Sequence, residues 1–317
     1  MRFIVKRDSW DRDWIARATA DVHMREARFA AAPELHDPLE VPYLGASHDG
    51  DGVAILMRDL SGILFDWERP LDAAALDRVL DELAAFHVAA WESLRSHPSL
   101  SLRLPAACPL DLRLLLLSPV AAKRYARQGL PVGGVFGRGW AAFRRLAPVE
   151  AVDLVERLSA DVRPLVDALG RLPWTHLHGD LKLSNVGFSA RGDLIVIDWQ
   201  MSTEAPVAVE FGWFLVSNSA VLPSPPDVVF ERYILALERA DLHRAAHDLV
   251  RPDSATLVGD RQLQADLTWI VGLLLRGWRK GLDAEAGTTL ASGVSAAEDL
   301  RWWCEHAVAA ASRRLVP

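Results

Sequence analysis

The alternation of apolar and polar positions predicts a short strand-containing part at the start of the chain. The opening MRFIVKR is typical of a short strand with Phe3 and Val5 on one face. The continuous apolar run VAILM at 53–57, bounded by Gly52 and Asp59, is typical of a buried strand. Between these two runs, the segment from about 10 to 32 is rich in Trp, Arg and Ala and has helical character.

From residue 71 onward the pattern is mainly helical. Apolar residues recur at helical spacing as far as Trp91, and a second helical stretch covers 149–169. The proline-rich segment 96–145 predicts one or two helices inside an irregular insertion. Its glycine-rich part, 131–139, matches no phosphate-binding spacing, so we expect a flexible surface turn there.

A hairpin interrupts the helical pattern. Two short apolar runs, 185–189 and 194–197, stand on either side of a turn at 190–193. After Pro206 the chain is mostly helical, with breaks near 223–226, 252 and 281–287. These elements predict an α+β, two-lobed fold, with an N-terminal lobe at 1–62 and a large, mainly helical C-terminal lobe at 63–317.

Composition and charge exclude several classes of protein. The chain has 317 residues, half of them hydrophobic, which excludes a disordered chain. The net charge of −7 argues against non-specific nucleic-acid binding. The N-terminus does not resemble a signal peptide, and the longest apolar runs are shorter than the ~18–20 residues that cross a bilayer. We therefore expect a cytoplasmic protein with no nucleic-acid or membrane partner, and the oligomeric state stays open.

The stretch HLHGDLKLSN at 176–185, followed after the hairpin by IDW at 197–199, has the residues that indicate a chemistry. Asn185 stands five residues after Asp180, and Asp198 stands thirteen residues further on. Phosphoryl transfer from ATP needs a carboxylate that accepts the proton of the attacking hydroxyl and oxygen ligands that hold Mg²⁺. Because the hairpin folds the chain back, we expect Asn185 and Asp198 to lie side by side. Protein kinases use the same Asp-x₄-Asn interval, followed later by a metal-binding Asp.

In these two motifs the chain resembles the aminoglycoside phosphotransferase and choline kinase-like family, small-molecule kinases with a protein-kinase-like fold. That family shows His-Gly-Asp-x₄-Asn followed by Ile-Asp-Trp, and this chain has HGDLKLSN and IDW. The resemblance implies ATP and Mg²⁺ as cofactors, Asp180 as the catalytic base, and Asn185 and Asp198 as the Mg²⁺ ligands. It also implies that Lys182 neutralises a phosphate.

The same resemblance assigns nucleotide-binding residues near the N-terminus. Lys6 resembles the strand lysine that grips the α- and β-phosphates, and Glu26 resembles the helix glutamate that pairs with it. Residues 56–60 resemble the hinge between the lobes, where backbone groups of Arg58 and Leu60 would meet the adenine. Only five residues precede Lys6, whereas the family has two more strands there, joined by a loop over the phosphates. We therefore expect an N-terminal lobe that lacks its first two strands.

Lysine is scarce, which adds weight to these positions. Only four of the 35 basic residues are lysines, namely Lys6, Lys123, Lys182 and Lys280. Two of the four stand where a phosphate-binding kinase needs a cation.

Two other patterns allow alternative interpretations. His176 and His178 could ligate zinc in a metal-dependent hydrolase, although no further ligand follows at a matching spacing, and we expect His178 to bond the backbone near the loop. Four tryptophans at helical spacing could surround a cationic substrate through cation–π attraction, but we expect them in the core; they are Trp269, Trp278, Trp302 and Trp303.

The function we expect is ATP- and Mg²⁺-dependent phosphorylation of a hydroxyl group on a small molecule. The acceptor stays open between an aminoglycoside-like compound, an amino alcohol and a sugar. An aminoglycoside would need an acidic pocket, which four acidic residues could supply, namely Asp266, Glu298, Asp299 and Glu305. The alternative is a non-catalytic, kinase-like protein that binds a nucleotide or another ligand, because the phosphate-covering loop is not found.

Overall fold

The computed structural model describes residues 2–32, 39–50, 52–96, 107–247 and 256–315. The chain divides into two units, each assembled from three separate stretches. The first unit comprises Met1–Pro109, Trp174–Ala205 and Glu231–Leu257, and the second comprises Leu110–Pro173, Pro206–Phe230 and Val258–Pro317. The predicted lobes at 1–62 and 63–317 are a different division of the chain and stay a prediction.

The described residues form mainly helices, and their strands are confined to small sheets. The strands are β1 (Phe3–Ser9), β2 (Tyr43–Asp49), β3 (Gly52–Arg58), β4 (Thr175–Leu177), β5 (Val186–Phe188), β6 (Leu194–Val196) and β7 (Thr203–Ala205). The helices are α1 (Trp14–Ala18), α2 (Arg25–Ala30), α3 (Ala73–Ser96), α4 (Leu110–Leu115), α5 (Pro119–Arg127), α6 (Pro131–Leu146), α7 (Val149–Ala160), α8 (Arg163–Leu169), α9 (Val207–Asn218), α10 (Pro226–His247), α11 (Arg261–Glu285) and α12 (Ala296–Arg314). The predicted α+β class is confirmed. Among the helices described, none combines the length and the hydropathy that crossing a membrane requires.

The first sheet of the first unit has the strand order β1-β3-β2, with antiparallel neighbours. Lys6 lies directly opposite Ile55, which is buried, so Lys6 occupies the inner face of the sheet. Side chains alternate between the two faces of a strand. Phe3 and Val5 therefore lie on the outer face, where each is more than half exposed (53% and 51%). The predicted strand is confirmed, with its charged residue inward and its apolar pair outward.

The segment predicted as helical between 10 and 32 contains two short helices, α1 and α2. Asp13 caps α1 by accepting a hydrogen bond from the backbone N–H of Ile15 at 2.7 Å. Between the two helices, Ala20 and Met24 both have φ of 53°, a left-handed conformation that ends a helix. Strand β2, which follows this segment, shows no pattern that predicts it.

The predicted hairpin is confirmed as the pair β5–β6, in which Val186 lies opposite Val196. The chain that leaves β3 returns to this hairpin, since the backbone N–H of Phe65 donates to Val186 O at 2.8 Å. A second small antiparallel pair is formed by β4, which precedes the hairpin in sequence, and β7, which follows it. Thr175 at the start of β4 donates its hydroxyl to His87 O of α3 at 2.8 Å. The two short strand pairs are therefore both anchored within the first unit.

The glycine-rich stretch 131–139 lies in the second unit, and the prediction of a flexible surface turn there is wrong. The stretch forms the first half of α6, with Pro131 at the first helical position, where its missing N–H costs nothing. A Cβ at Gly139 would lie 2.5 Å from Trp278 O on α11, and one at Gly133 would lie 2.2 Å from Ala126 N on α5. These glycines therefore allow α6 to pack closely against its neighbours.

Other helix boundaries also differ from the prediction. The described part of 96–145 contains three helices, α4 to α6, rather than one or two, and 97–106 lies outside the described residues. The helix predicted at 149–169 is divided into α7 and α8 by an extended residue, Asp161. The break predicted at 281–287 lies toward the end of that range: α11 continues through Gly281, which packs against the backbone of Phe143, and ends at Glu285. The predicted break at 252 lies outside the described residues.

Aromatic residues fill much of the second unit. Trp269, Trp278 and Trp303 are each at most 6% exposed, which confirms the prediction that they belong to the core. Trp302 is half-buried and stacks on the ring of His306, with 3.9 Å between the centroids. Both cysteines are buried free thiols.

Candidate functional site

The loop after β4 is held in a single conformation by glycine and histidine. Gly179 has a φ of 82°, and a Cβ there would lie 1.9 Å from Met201 O, so a side chain cannot be accommodated. His178 donates through Nε2 to Ile197 O at 2.8 Å and accepts through Nδ1 from the backbone N–H of Asp180 at 3.1 Å. These are the backbone hydrogen bonds expected of a structural histidine, and they fix the main chain at Asp180.

Asp180 presents an unusual buried carboxylate. The residue is 3% exposed, and its Oδ2 pairs with Lys182 Nζ at 2.9 Å. Its Oδ1 is buried and has no hydrogen-bond partner among the described residues. Burial raises the pKa of the Asp180 carboxyl above its ordinary value, although the Lys182 ammonium opposes the rise. Such an oxygen can accept a proton from a hydroxyl group that enters the site.

The hairpin places Asn185 and Asp198 at its two ends, as the sequence predicts. The ends are joined because the backbone N–H of Ile197 donates to Asn185 O at 3.0 Å. Asn185 is itself held by its Nδ2, which donates to Asp180 O at 3.0 Å. Asp198 has a φ of 70° and a ψ of 57°, a left-handed conformation that is uncommon outside glycine.

Lys6 connects the first sheet to this loop. Its Nζ lies 2.5 Å from Glu26 Oε2 and 2.9 Å from Asp198 Oδ1. Burial works to lower the pKa of Lys6, but the two carboxylates outweigh it, and this pKa lies above its ordinary value. Burial also raises the pKa of Glu26, which Lys6 opposes. The structure thus brings together Lys6, Glu26 and Asp198 from three distant parts of the sequence.

The proposed hinge residues lie at the end of β3. Arg58 is three residues beyond Ile55, which faces Lys6, so the two positions are about 10 Å apart along the sheet. The backbone N–H of Arg58 donates to Pro42 O at 3.0 Å, and its side chain pairs with Glu40. Leu60 is buried, and its O accepts from the backbone N–H of Ile63 at 2.9 Å.

Two residues of this region were missed by the sequence analysis. Tyr43 of β2 donates its hydroxyl to Glu26 Oε1 at 2.9 Å and accepts from the backbone N–H of Asp198 at 3.1 Å. Arg25, fully buried beside Glu26, donates to Gln200 O at 2.6 Å. Arg25 lay in the same predicted helix as Glu26, but nothing in the sequence indicated its partner. Tyr43 lay outside every predicted element.

The oxygen atoms around this loop fit a magnesium ion. With Nδ2 of Asn185 bonded to the main chain, its amide oxygen is the atom that remains to accept a cation. The carboxylate of Asp198 is 27% exposed and offers a second hard oxygen donor. Mg²⁺ needs few protein ligands of this kind, because it keeps several waters and takes further oxygens from the nucleotide phosphates.

A zinc site at His176 and His178 is not supported. Both ring nitrogens of His178 are engaged by the loop, and His176 lies parallel to the Trp199 ring, 6.1 Å between centroids. The described ranges contain no cluster of three or more His, Cys, Asp or Glu side chains that could hold a metal. The alternative of a zinc hydrolase is therefore dropped.

The acidic residues considered for an aminoglycoside pocket are mostly used by the second unit itself. Asp266 bonds Arg313 at 2.6 Å and Arg314 at 2.6 Å. Asp299 pairs with Lys280, and Glu298 closes a capping box with Ser295 at the start of α12. The charges of Asp266 and Asp299 are thus balanced within the fold.

The chain resembles several solved structures at low sequence identity. An aminoglycoside phosphotransferase from Alicyclobacillus acidocaldarius, known from a crystal structure, is 15% identical, with a TM-score of 0.40. The match covers 99% of this chain and 87% of that protein's chain. The choline kinase LicA from Streptococcus pneumoniae is 13% identical, with a TM-score of 0.45 and coverages of 97% and 85%. A spectinomycin phosphotransferase crystallised with ADP and spectinomycin is 12% identical, with a TM-score of 0.40 and coverages of 97% and 85%. At these values the likenesses support no conclusion about this chain.

The sequence comparison with protein families gives the stronger result. No curated protein sequence matches the chain. A family described as the phosphotransferase enzyme family, APH, matches residues 2–251, which is most of the chain and includes every predicted site residue. The predicted enzyme class, a phosphotransferase, is confirmed by this match. The chain belongs to the phosphotransferase enzyme family.

Proposed function

We propose that the protein transfers the γ-phosphoryl group of ATP to a hydroxyl group of a small molecule. The observation that supports this most directly is the ion-pair cluster in which Lys6 of β1 meets Glu26 of α2 and Asp198, the residue that follows the hairpin after the buried carboxylate of Asp180. A phosphoryl transfer site needs three kinds of group: a cation for the phosphates, oxygen ligands for the metal and a carboxylate for the acceptor hydroxyl.

In this proposal Lys6 binds the α- and β-phosphates. Its side chain is about one-third exposed, which leaves room for a phosphate to approach while Glu26 holds the ammonium in place. Backbone groups of Arg58 and Leu60 would meet the adenine. The hinge lies about 10 Å from Lys6 along the sheet, which suits the length of the nucleotide between its base and its phosphates.

Asn185 and Asp198 would hold Mg²⁺, which when bound neutralises charge on the phosphates and orients them. Asp180 orients the acceptor hydroxyl and accepts its proton at Oδ1 as the hydroxyl oxygen bonds to the γ-phosphorus and the bond to ADP breaks. Lys182 pairs with Oδ2 of Asp180, opposes the burial that raises the pKa of this carboxyl, and would neutralise the transferred phosphoryl group. The proton then leaves Asp180 for solvent.

The acceptor is proposed only as a hydroxyl-bearing small molecule. An aminoglycoside, an amino alcohol and a sugar each carry such a group. The second unit neutralises Asp266 and Asp299 with its own cations, so these residues do not favour a cationic acceptor over a neutral one.

The test compares the wild-type protein with Asp180→Asn and with a matched control, Asp77→Asn. Asp77 is an exposed aspartate of the first unit that pairs with Arg232 at 3.2 Å. Binding of Mg-ATP is measured by calorimetry, and ADP formation is measured with a panel of hydroxyl acceptors. We expect Asp180→Asn to bind Mg-ATP like the wild type and to lose about 10²–10⁴-fold in transfer rate, the usual contribution of general base catalysis.

Three outcomes are decisive for this proposal. Full transfer activity in Asp180→Asn would show that Asp180 is not the base. Binding of Mg-ATP without transfer to any acceptor would favour the non-catalytic, kinase-like binding protein. Equal losses in Asp180→Asn and Asp77→Asn would show an unspecific effect of removing a carboxylate.

A further inference from the structure

We infer that Tyr43 is a positioning residue of the phosphate and metal site, because its one hydroxyl fixes both the Glu26 carboxylate and the main chain of Asp198. This inference rests on the proposed function and adds to it a residue that contacts neither nucleotide nor metal. It is carried by two hydrogen bonds that join parts of the sequence 17 and 155 residues away from Tyr43.

A β-bulge aims Tyr43 at the site. Gly45 lies opposite Leu56, which is on the outer face of the sheet, and Tyr43 lies opposite Met57, which is buried on the inner face. In a regular strand Leu44 would face inward and Tyr43 outward, because successive side chains alternate. The bulge inserts one residue and reverses this order, so Leu44 is 52% exposed and Tyr43 is 9% exposed.

The ring of Tyr43 packs against α2, and through α2 against the turn at Asp198, the two elements that its hydroxyl joins. Its edge packs on Phe29 of α2, with 6.3 Å between the centroids. Phe29 in turn stacks on Trp199, the residue after Asp198, at 3.9 Å. The hydroxyl therefore stands at a fixed position between α2 and the Asp198 turn.

The Tyr43 hydroxyl donates one hydrogen bond and accepts another, and its two partners are a charged group and a strained one. As donor it binds Oε1 of Glu26 and leaves Oε2 to Lys6. As acceptor it receives the backbone N–H of Asp198, whose left-handed conformation is stable only when surrounding contacts hold it. Removal of the hydroxyl would loosen Glu26 and Asp198 together, and with them the cation and the metal ligand.

The experiment compares Tyr43→Phe with Tyr125→Phe. Tyr125 is an equally buried tyrosine of the second unit whose hydroxyl donates to Leu116 O at 2.9 Å. Binding of AMP-PNP, a non-hydrolysable ATP analogue, is measured by calorimetry at increasing Mg²⁺ concentrations. The Mg²⁺ concentration that gives half-maximal binding is compared among the variants, and the calorimetric stoichiometry corrects for any unfolded fraction. Hydrogen exchange of the peptide containing Asp198 gives a second readout that needs no nucleotide.

We expect Tyr43→Phe to raise the half-maximal Mg²⁺ concentration about tenfold, the effect of losing one hydrogen bond to a charged group. We also expect faster exchange at the Asp198 peptide, and neither change in Tyr125→Phe. A merely structural role would lower the melting temperature without changing the Mg²⁺ dependence, so unchanged Mg²⁺ dependence or unchanged exchange in Tyr43→Phe would overturn the inference. Failure of the wild type to bind AMP-PNP with Mg²⁺ would instead overturn the proposed function, and the inference with it.

Discussion

The buried ion pair between Lys280 of α11 and Asp299 of α12 allows a quantitative prediction for the second unit. Their side chains are 2% and 4% exposed, and Nζ of Lys280 lies 5.7 Å from the centre of the Trp303 ring. Removal of one partner leaves an uncompensated charge in an apolar surrounding, which costs about 3–5 kcal/mol. We therefore expect Asp299→Asn to lower the free energy of unfolding by about this amount at pH 7. The double variant Lys280→Met with Asp299→Leu removes both charges and should be close to the wild type.

The loss in Asp299→Asn should depend on pH with a definite sign. Burial lowers the pKa of Lys280, and Asp299 opposes this effect. Without Asp299 the pKa of Lys280 falls further, so the folded variant releases a proton that the unfolded chain keeps up to the ordinary lysine pKa. Because the unfolded state then binds more protons, the free energy of unfolding rises with pH, by about 1.4 kcal/mol per pH unit. The destabilisation should thus shrink as pH rises from 7 toward 10.

Urea unfolding followed by tryptophan fluorescence at pH 7, 8 and 9 measures both effects. The matched control is Glu156→Gln, which breaks an exposed pair of the second unit, between Arg144 Nε and Glu156 Oε1 at 2.9 Å. We expect that control to cost at most about 1 kcal/mol, as for surface pairs. Equal losses in Asp299→Asn and Glu156→Gln, or a loss in Asp299→Asn that grows with pH, would refute the reasoning.

Two further predictions use paired variants. Gly139→Ala should destabilise the protein by about 1–3 kcal/mol in urea unfolding, because its Cβ would lie 2.5 Å from Trp278 O. Gly137→Ala, whose Cβ would meet no described atom within 4 Å, should stabilise the helix by about 0.5–1 kcal/mol instead, and a loss there would contradict the packing argument. Lys6→Ala should raise the KM for Mg-ATP at least about tenfold in steady-state assays, since it removes a charge-assisted phosphate contact. Lys123→Ala removes an exposed lysine and should leave KM unchanged, so equal effects would exclude a specific role for Lys6.

The geometry of the candidate catalytic loop could be predicted from sequence because it is local. The interval from Asp180 to Asn185 lies within one loop and a short 3-10 helix, and the hairpin brings Asp198 back by simple chain reversal. The positions of Lys6 and Glu26 came only from the resemblance. The contact of Lys6 with Asp198 spans 192 positions of the sequence, a distance over which periodicity carries no information.

The elements and residues that could not be predicted from the sequence depend on long-range packing. Glycines usually indicate turns, but those of α6 are needed for close contact with other helices, which no local pattern shows. Strand β2 shows no regular alternation because its bulge shifts the pattern by one residue at Leu44. That same bulge placed Tyr43 inward, so one irregularity hid both the strand and the residue that it positions.

The scarcity of lysine does not by itself identify a functional residue. The exposed fraction of the side chain shows which of the four lysines could contact a phosphate. Lys6, Lys182 and Lys280 each pair with a buried or half-buried carboxylate. Lys280 is 2% exposed and its charge is fully enclosed with Asp299, so no phosphate can reach it. Lys6 and Lys182 keep 32% and 37% of their side chains exposed, which leaves room for a further anion beside the carboxylates that they already pair with. An ammonium held by a carboxylate yet open to solvent is what a phosphate site needs, because its position is fixed before the nucleotide binds.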